Sequence, residues 1–156
     1  MTNELKISLI NEKDTLMLGK DISSCLTKGL LIFLKGELGA GKTTLVRGII
    51  LALGYNGTVK SPTYSLIEQY EFNELSLNHF DLYRFTSSSE WFSSGFQDNI
   101  NNCDVTLIEW PEIATEILPK PDLEIELLYE NDGRIANIIS FTKKGNKCLE
   151  HLHSQN

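Results

Sequence analysis

Apolar and polar positions alternate with two different periods along this 156-residue chain, and the changes of period mark its elements. Leu5, Ile7 and Leu9 alternate with Lys6 and Ser8, the period of two that a strand shows. From Asn11 the spacing lengthens. Leu18, Ile22, Cys25 and Leu26 fall on one helical face, which predicts a helix stopping at Gly29. Leu30 to Leu34 is unbroken apolar sequence, as in a strand covered on both faces. Gly36 to Gly41 is a glycine-rich turn, and Thr44 to Leu53 reads as a helix ended by Gly54.

The second half is predicted to hold two hairpins around another buried strand. Tyr64–Phe72 and Leu77–Leu82 flank a turn at Asn73-Glu74. Leu123–Glu130 and Arg134–Thr142 flank the stronger turn signal Asn131-Asp132-Gly133. Between them, Thr86–Ser94 reads as a loop leading to a short helix near Phe96 and Ile100. Val105–Glu109 is a buried strand, and Pro111 opens a short helix closed by Pro119 and Pro121. From Lys143 the composition turns polar, so residues 143–156 are expected to form a frayed helix or loose tail after one domain over 1–142. Alternation of strands and helices implies an α/β fold.

Length and charge narrow the picture. A chain of this size matches one domain of roughly 150 residues and can bury a core without staples. The balance of 14 basic to 21 acidic residues, a formal −7, disfavours a surface built to grip nucleic acid. No apolar stretch approaches the ~20 residues that span a bilayer, and Met1–Ile10 lacks a signal-peptide core. Cys25, Cys103 and Cys148 are far apart and odd in number. They read as reduced thiols of a cytoplasmic protein rather than as a disulfide frame or zinc site.

The chemistry concentrates in Gly36-Glu37-Leu38-Gly39-Ala40-Gly41-Lys42-Thr43, a complete G-x-x-x-x-G-K-[ST] phosphate loop between a strand and a helix. Glycines let successive N–H groups turn inward as an anion nest, and the helix adds its positive end. Gly36, Glu37, Gly39, Ala40, Gly41, Lys42, Thr43 and Thr44 are thus the candidate nucleotide-binding residues. Lys42 is suited to the β- and γ-phosphates of ATP, and the Thr43 hydroxyl to Mg²⁺, which takes oxygen ligands. Such a site also calls for strand-end carboxylates. Glu109 and Asp81 qualify: one could hold Mg²⁺ and the other orient the attacking water. Thr63, in Ser61-Pro62-Thr63-Tyr64, follows the loop helix, where NTPases sense the γ-phosphate. Lys60 and Arg84 are equally readable as phosphate contacts or surface charge.

Four blocks in order carry a family resemblance: residues 36–44, Val59–Tyr64, His79-Phe80-Asp81-Leu82-Tyr83-Arg84 and Leu107-Ile108-Glu109-Trp110-Pro111. Together they closely resemble the TsaE (YjeE) family over about Leu5 to Thr142. The resemblance implies a P-loop NTPase-like three-layer sandwich with a mixed central β-sheet. It implies slow ATP hydrolysis supporting TsaB-like and TsaD-like partners, which place a threonylcarbamoyl group on an adenosine beside the tRNA anticodon. tRNA would be engaged only indirectly, and no membrane is involved. It further implies that Lys42 binds phosphates, that Thr43 and Glu109 hold Mg²⁺, and that Asp81 acts near the γ-phosphate, with Thr63 in a switch-like segment. Asn11–Thr15 would border the adenine, and Arg134 would approach the nucleotide. The segment Phe85–Gly95 departs from the family pattern, with Trp91 and Phe92 replacing charge and leucine. If exposed, these aromatics would suit a partner.

Two other readings compete. A small-molecule kinase would need a basic lid, but Arg84 and Lys120 are the only Arg or Lys between Glu68 and Pro121. A nucleotide-dependent binding module would hold ATP without turnover. His151 and His153 read as solvated rather than metal-binding, and Lys143, Lys144 and Lys147 as solvated tail charge.

Overall fold

A computed structural model describes residues 3–62 and 65–156. Among them, seven strands form one sheet in the order β1-β7-β6-β2-β5-β4-β3. The strands are β1 (Glu4–Leu9), β2 (Leu30–Lys35), β3 (Ile67–Glu71), β4 (Ser76–Asp81), β5 (Val105–Glu109), β6 (Leu123–Glu130) and β7 (Gly133–Ser140). β6, β2, β5 and β4 run parallel at the centre. β1, β7 and β3 pair antiparallel at the flanks. The mixed sheet and both predicted hairpins are therefore present.

Helices cover both faces, giving three layers. α1 (Glu12–Ser23), α2 (Lys42–Ala52) and α5 (Lys143–Gln155) occupy one face; α3 (Ser88–Ser93) and α4 (Phe96–Asn101) pack on the other. The unbroken apolar run of β2 serves both. Leu30, Ile32 and Leu34 join Leu45, Ile49 and Ile138 in one core, whereas Leu31 and Phe33 join Phe80, Trp91 and Phe96 in the second. Period-two alternation is what sends neighbouring β2 residues to opposite layers.

α1 and α2 cross closely. A Cβ at Gly19 would lie 2.7 Å from the Leu45 carbonyl oxygen, and one at Gly48 would lie 2.7 Å from that of Leu16. Asn11 caps α1. Its Oδ1 accepts from Asp14 N at 3.0 Å, while Asp14 Oδ2 accepts from Ile10 N at 2.9 Å. The first bond satisfies a donor that the helix start leaves free, and the second ties the helix to the residue that follows β1.

Several sequence expectations need correction. α1 stops at Ser23, so Cys25 and Leu26 lie beyond it. The helix after Trp110 is only the 3₁₀ turn Pro111–Ile113. Residues 143–155 are not a loose tail. They form α5, whose Cys148, Leu149 and Leu152 are buried in the first core. Thr142 caps this helix by accepting from Gly145 N at 3.1 Å, and its hydroxyl donates to Asp122 Oδ1 at 2.6 Å. Asp122 Oδ2 in turn accepts from Leu31 N at 2.8 Å, tying the helix start to the first residues of β2. Cys25 is disulfide-bonded to Cys148, with Cα atoms 5.1 Å apart. The reduced-thiol reading therefore fails for this pair, and Cys103 is the free cysteine. No helix of the described residues is long and apolar enough to cross a membrane.

Candidate nucleotide site

The site lies where the parallel strands end. In register, Asp81 of β4 sits beside Glu109 of β5, and Glu109 beside Leu34 of β2. Gly36 follows β2 directly, so the two carboxylate-bearing strands finish level with the start of the phosphate loop. Carboxyl ends of strands in open α/β sheets are where such folds place ligands. The crossover connections between parallel strands collect loops at that edge.

The loop itself takes backbone shapes that require glycine. Gly36 has φ 147°, and a Cβ there would meet the Leu127 carbonyl oxygen at 2.8 Å. Gly41, with φ 109° and ψ 14°, immediately precedes α2. α2 has no side-chain cap, so its first N–H groups face the loop without one. Lys42 Nζ donates to the Gly36 carbonyl and, at 3.0 Å, to that of Glu37. It also stands 4.2 Å from the centre of the Trp110 ring. Burial pulls the Lys42 ammonium below its ordinary value, opposed by Glu109, Asp81 and Glu112. A buried lysine without its anion is electrostatically costly, which is the property a phosphate ligand relieves.

Glu109 is 2% exposed, and its Oε2 is 2.5 Å from Nε2 of the fully buried His79. Sequence reasoning placed His79 in a motif without assigning it this contact. Its position two residues before Asp81 puts both on one face of β4, which was the available signal. Asp81 is half-buried and accepts from Tyr83 N at 3.0 Å. Burial raises its carboxyl above the usual range; the Tyr83 N–H opposes this, and Glu109 adds to the rise. The Thr43 hydroxyl shares a 2.7 Å hydrogen bond with Ser61, another partner that the sequence did not reveal.

Trp110 holds a left-handed conformation, φ 59° and ψ 46°. That turn brings its ring against Lys42 and to 5.1 Å from the Tyr83 ring. Asn11, Thr15 and Thr44 line a cleft of about 240 Å³ with Gly39–Gly41 and Arg134. Asn11–Thr15, expected to border the adenine, and Arg134, expected to approach the nucleotide, thus line one cavity beside the loop. Lys60 and Arg84 are exposed. Thr63 and Tyr64 lie outside the described residues. Trp91 is fully buried against Phe80, Phe85 and Phe96, so it is a core residue and unavailable to a partner; Phe92 is 68% exposed.

Comparison with known proteins adds lineage to this geometry. A family model described as threonylcarbamoyl adenosine biosynthesis protein TsaE matches residues 9–136. The chain belongs to the TsaE family. Among curated TsaE relatives, the Haemophilus influenzae protein is 40% identical over 122 residues, covering 78% of this chain and 77% of that one. The TsaE of Bacillus subtilis is 33% identical over 144 residues, 92% of this chain and 89% of the relative. A crystal structure of YdiB from Bacillus subtilis superposes with a TM-score of 0.81 at 28% identity, covering 99% of this chain and 97% of that one. TsaE matches thus span the phosphate loop, Asp81 and Glu109 within one aligned block.

Proposed function

We propose that this TsaE-family chain is a Mg²⁺-dependent ATPase supporting threonylcarbamoyl transfer to the adenosine next to the tRNA anticodon. The observation that carries the reading is the convergence of Lys42, Asp81 and Glu109 at the carboxyl edge of the sheet, beside a complete phosphate loop. The cleft beside Thr44, bordered by the loop, suits ATP or ADP. Phosphoryl transfer needs positioning and charge neutralisation more than covalent help from the protein.

The residues fit these roles. Gly36, Glu37, Gly39, Ala40, Gly41 and Thr44 surround the phosphates, and Lys42 neutralises them. Mg²⁺ is a hard cation that retains waters and phosphate oxygens. The oxygen donors Thr43 and Glu109 match that preference. Among the described residues, no three His, Cys, Asp or Glu side chains cluster as a self-sufficient metal cage. Bound Mg²⁺ would supply charge stabilisation to the phosphates. Asp81 is the group placed to orient the attacking water, and Thr63 belongs to the switch-like segment. The buried His79 fixes the Glu109 carboxylate by its hydrogen bond.

A TsaD-like and a TsaB-like protein are the partners of this reading, with tRNA held by the complex and the whole assembly cytoplasmic. The net charge of −7 suits a component that works through proteins more than through direct RNA contact. Purified chain is expected to hydrolyse ATP slowly with Mg²⁺ and not with EDTA. Lys42→Ala is expected to lose that turnover, and Glu109→Ala to cripple the Mg²⁺-dependent turnover. In cells, loss of the protein should remove threonylcarbamoyladenosine from tRNA digests. Wild-type turnover in Lys42→Ala would overturn the site assignment, and an unchanged tRNA digest would overturn the biological role.

A further inference from the structure

The outer side of the phosphate loop is held by two side chains from the β6–β7 hairpin. Tyr129 Oη donates to the Leu38 carbonyl at 2.9 Å. Arg134 Nη2 donates to the Gly39 carbonyl at 3.3 Å, and its Nε to the Ala40 carbonyl at 3.2 Å. A third donor, Nη1, reaches the Gly133 carbonyl at 2.9 Å. The guanidinium carbon stands 4.0 Å from the centre of the Tyr129 ring, so each residue also fixes the other. Among the described residues, Arg134 has no carboxylate at ion-pair distance.

We propose that Arg134, braced by Tyr129, is a positioning residue that sets the phosphate loop in its anion-binding shape. In a trans peptide unit the C=O and the following N–H point in opposite directions. Holding the carbonyls of Leu38, Gly39 and Ala40 from outside therefore sets the direction of the N–H groups of Gly39, Ala40 and Gly41. The Ala40 N–H turns back to the Glu37 carbonyl at 3.1 Å, which closes the turn. Gly39 and Gly41 are left to face an anion. Glycines give the loop its shape but also its freedom, and an unbraced loop would lose more entropy on binding. The planar fork of arginine holds two adjacent carbonyls in a fixed geometry and still has donors left, whereas a lysine is a single point charge on a flexible stem. Cation–π contact with Tyr129 keeps the fork in place.

This inference rests on the nucleotide reading of the same site. Arg134 also lines the cleft beside Thr44, so a direct contact with the base is the competing role. Binding of ATP and of inorganic tripolyphosphate, each with Mg²⁺, separates the two by calorimetry. Arg134→Met is expected to weaken both ligands equally, by tenfold or more, because the loop serves phosphates whether or not a base is attached. Arg134→Lys should recover only part of that loss. Tyr129→Phe, which keeps the ring and removes the hydroxyl, should weaken both by a few fold and covers the case in which Arg134→Met fails to fold. Loss confined to ATP would overturn the proposal in favour of base contact, and unchanged binding of both would overturn it outright. Wild-type protein that binds neither ligand would instead sink the nucleotide reading, and this inference with it.

Discussion

Asp81 shows what burying a carboxylate costs the folded chain. Burial is the main cause of its raised carboxyl pKa. Between the usual carboxylate value and the raised one, the folded chain keeps a proton that the unfolded chain has released. Folding therefore strengthens as pH falls through that window, and above it the cost of the buried charge is present in full. Asp81→Asn can still accept from Tyr83 N, so it should melt higher than wild type at pH 7. The difference should shrink on acidification, as thermal melts between pH 4 and 8 would show. The same variant should lose hydrolysis, a trade of activity for stability. A lower melting temperature at neutral pH would contradict the argument. At this scale the sequence singled out Lys42, Thr43, Asp81 and Glu109 by number, because a loop motif and strand ends are legible from local spacing. The contacts of His79 with Glu109 and of Ser61 with Thr43 were not legible, because each joins residues from different elements.

Elements were legible where the apolar pattern matches the burial, alternating along β1 and unbroken along β2 and β5. β1, β2 and β5 follow their patterns almost residue for residue. The docking of α5 was not legible, because only three of its side chains, Cys148, Leu149 and Leu152, join the core while most of the remainder are polar. A stripe of Cys148, Leu149 and Leu152 is too narrow to outweigh mean composition, yet it is what docks the helix. Leu152→Ala, at a fully buried position, should cost about 2–5 kcal/mol in urea denaturation. A loss within experimental error would mean that α5 is not docked in solution. The α1–α2 crossing gives a second element-scale test. Gly48→Ala forces a methyl against the Leu16 backbone and should cost about 1–3 kcal/mol, whereas the same change in an exposed helix would stabilise. Stabilisation by this substitution would show that the helices are further apart than described.

The whole molecule is a sheet whose parallel centre carries the site and whose antiparallel flanks support it. β7 belongs to the flank, yet its Arg134 reaches the loop after β2, because β6 and β7 are the next strands in the sheet. The Cys25–Cys148 bond closes a separation of 123 residues, from the end of α1 to α5. A cross-link across so long a loop should stabilise by roughly 2–4 kcal/mol. Adding reductant should lower the urea midpoint of the wild type and leave that of Cys25→Ser unchanged. Equal sensitivity of the two proteins would show that this bond does not form in solution.

Local pattern in the sequence was enough to determine the α/β class, the phosphate loop, the two hairpins and the strand-end carboxylates. Each depends on residues close together in the chain, where periodicity and turn chemistry act. Only the tertiary structure decided strand order, the docking of α5, the burial of Trp91 and the pairing of two distant cysteines. It also decided what braces the loop. These depend on which surfaces meet after the chain has crossed the sheet, and residues 38 and 129 become neighbours only then. The phosphate loop is thus written in eight consecutive residues, but its rigidity is supplied from the far side of β2.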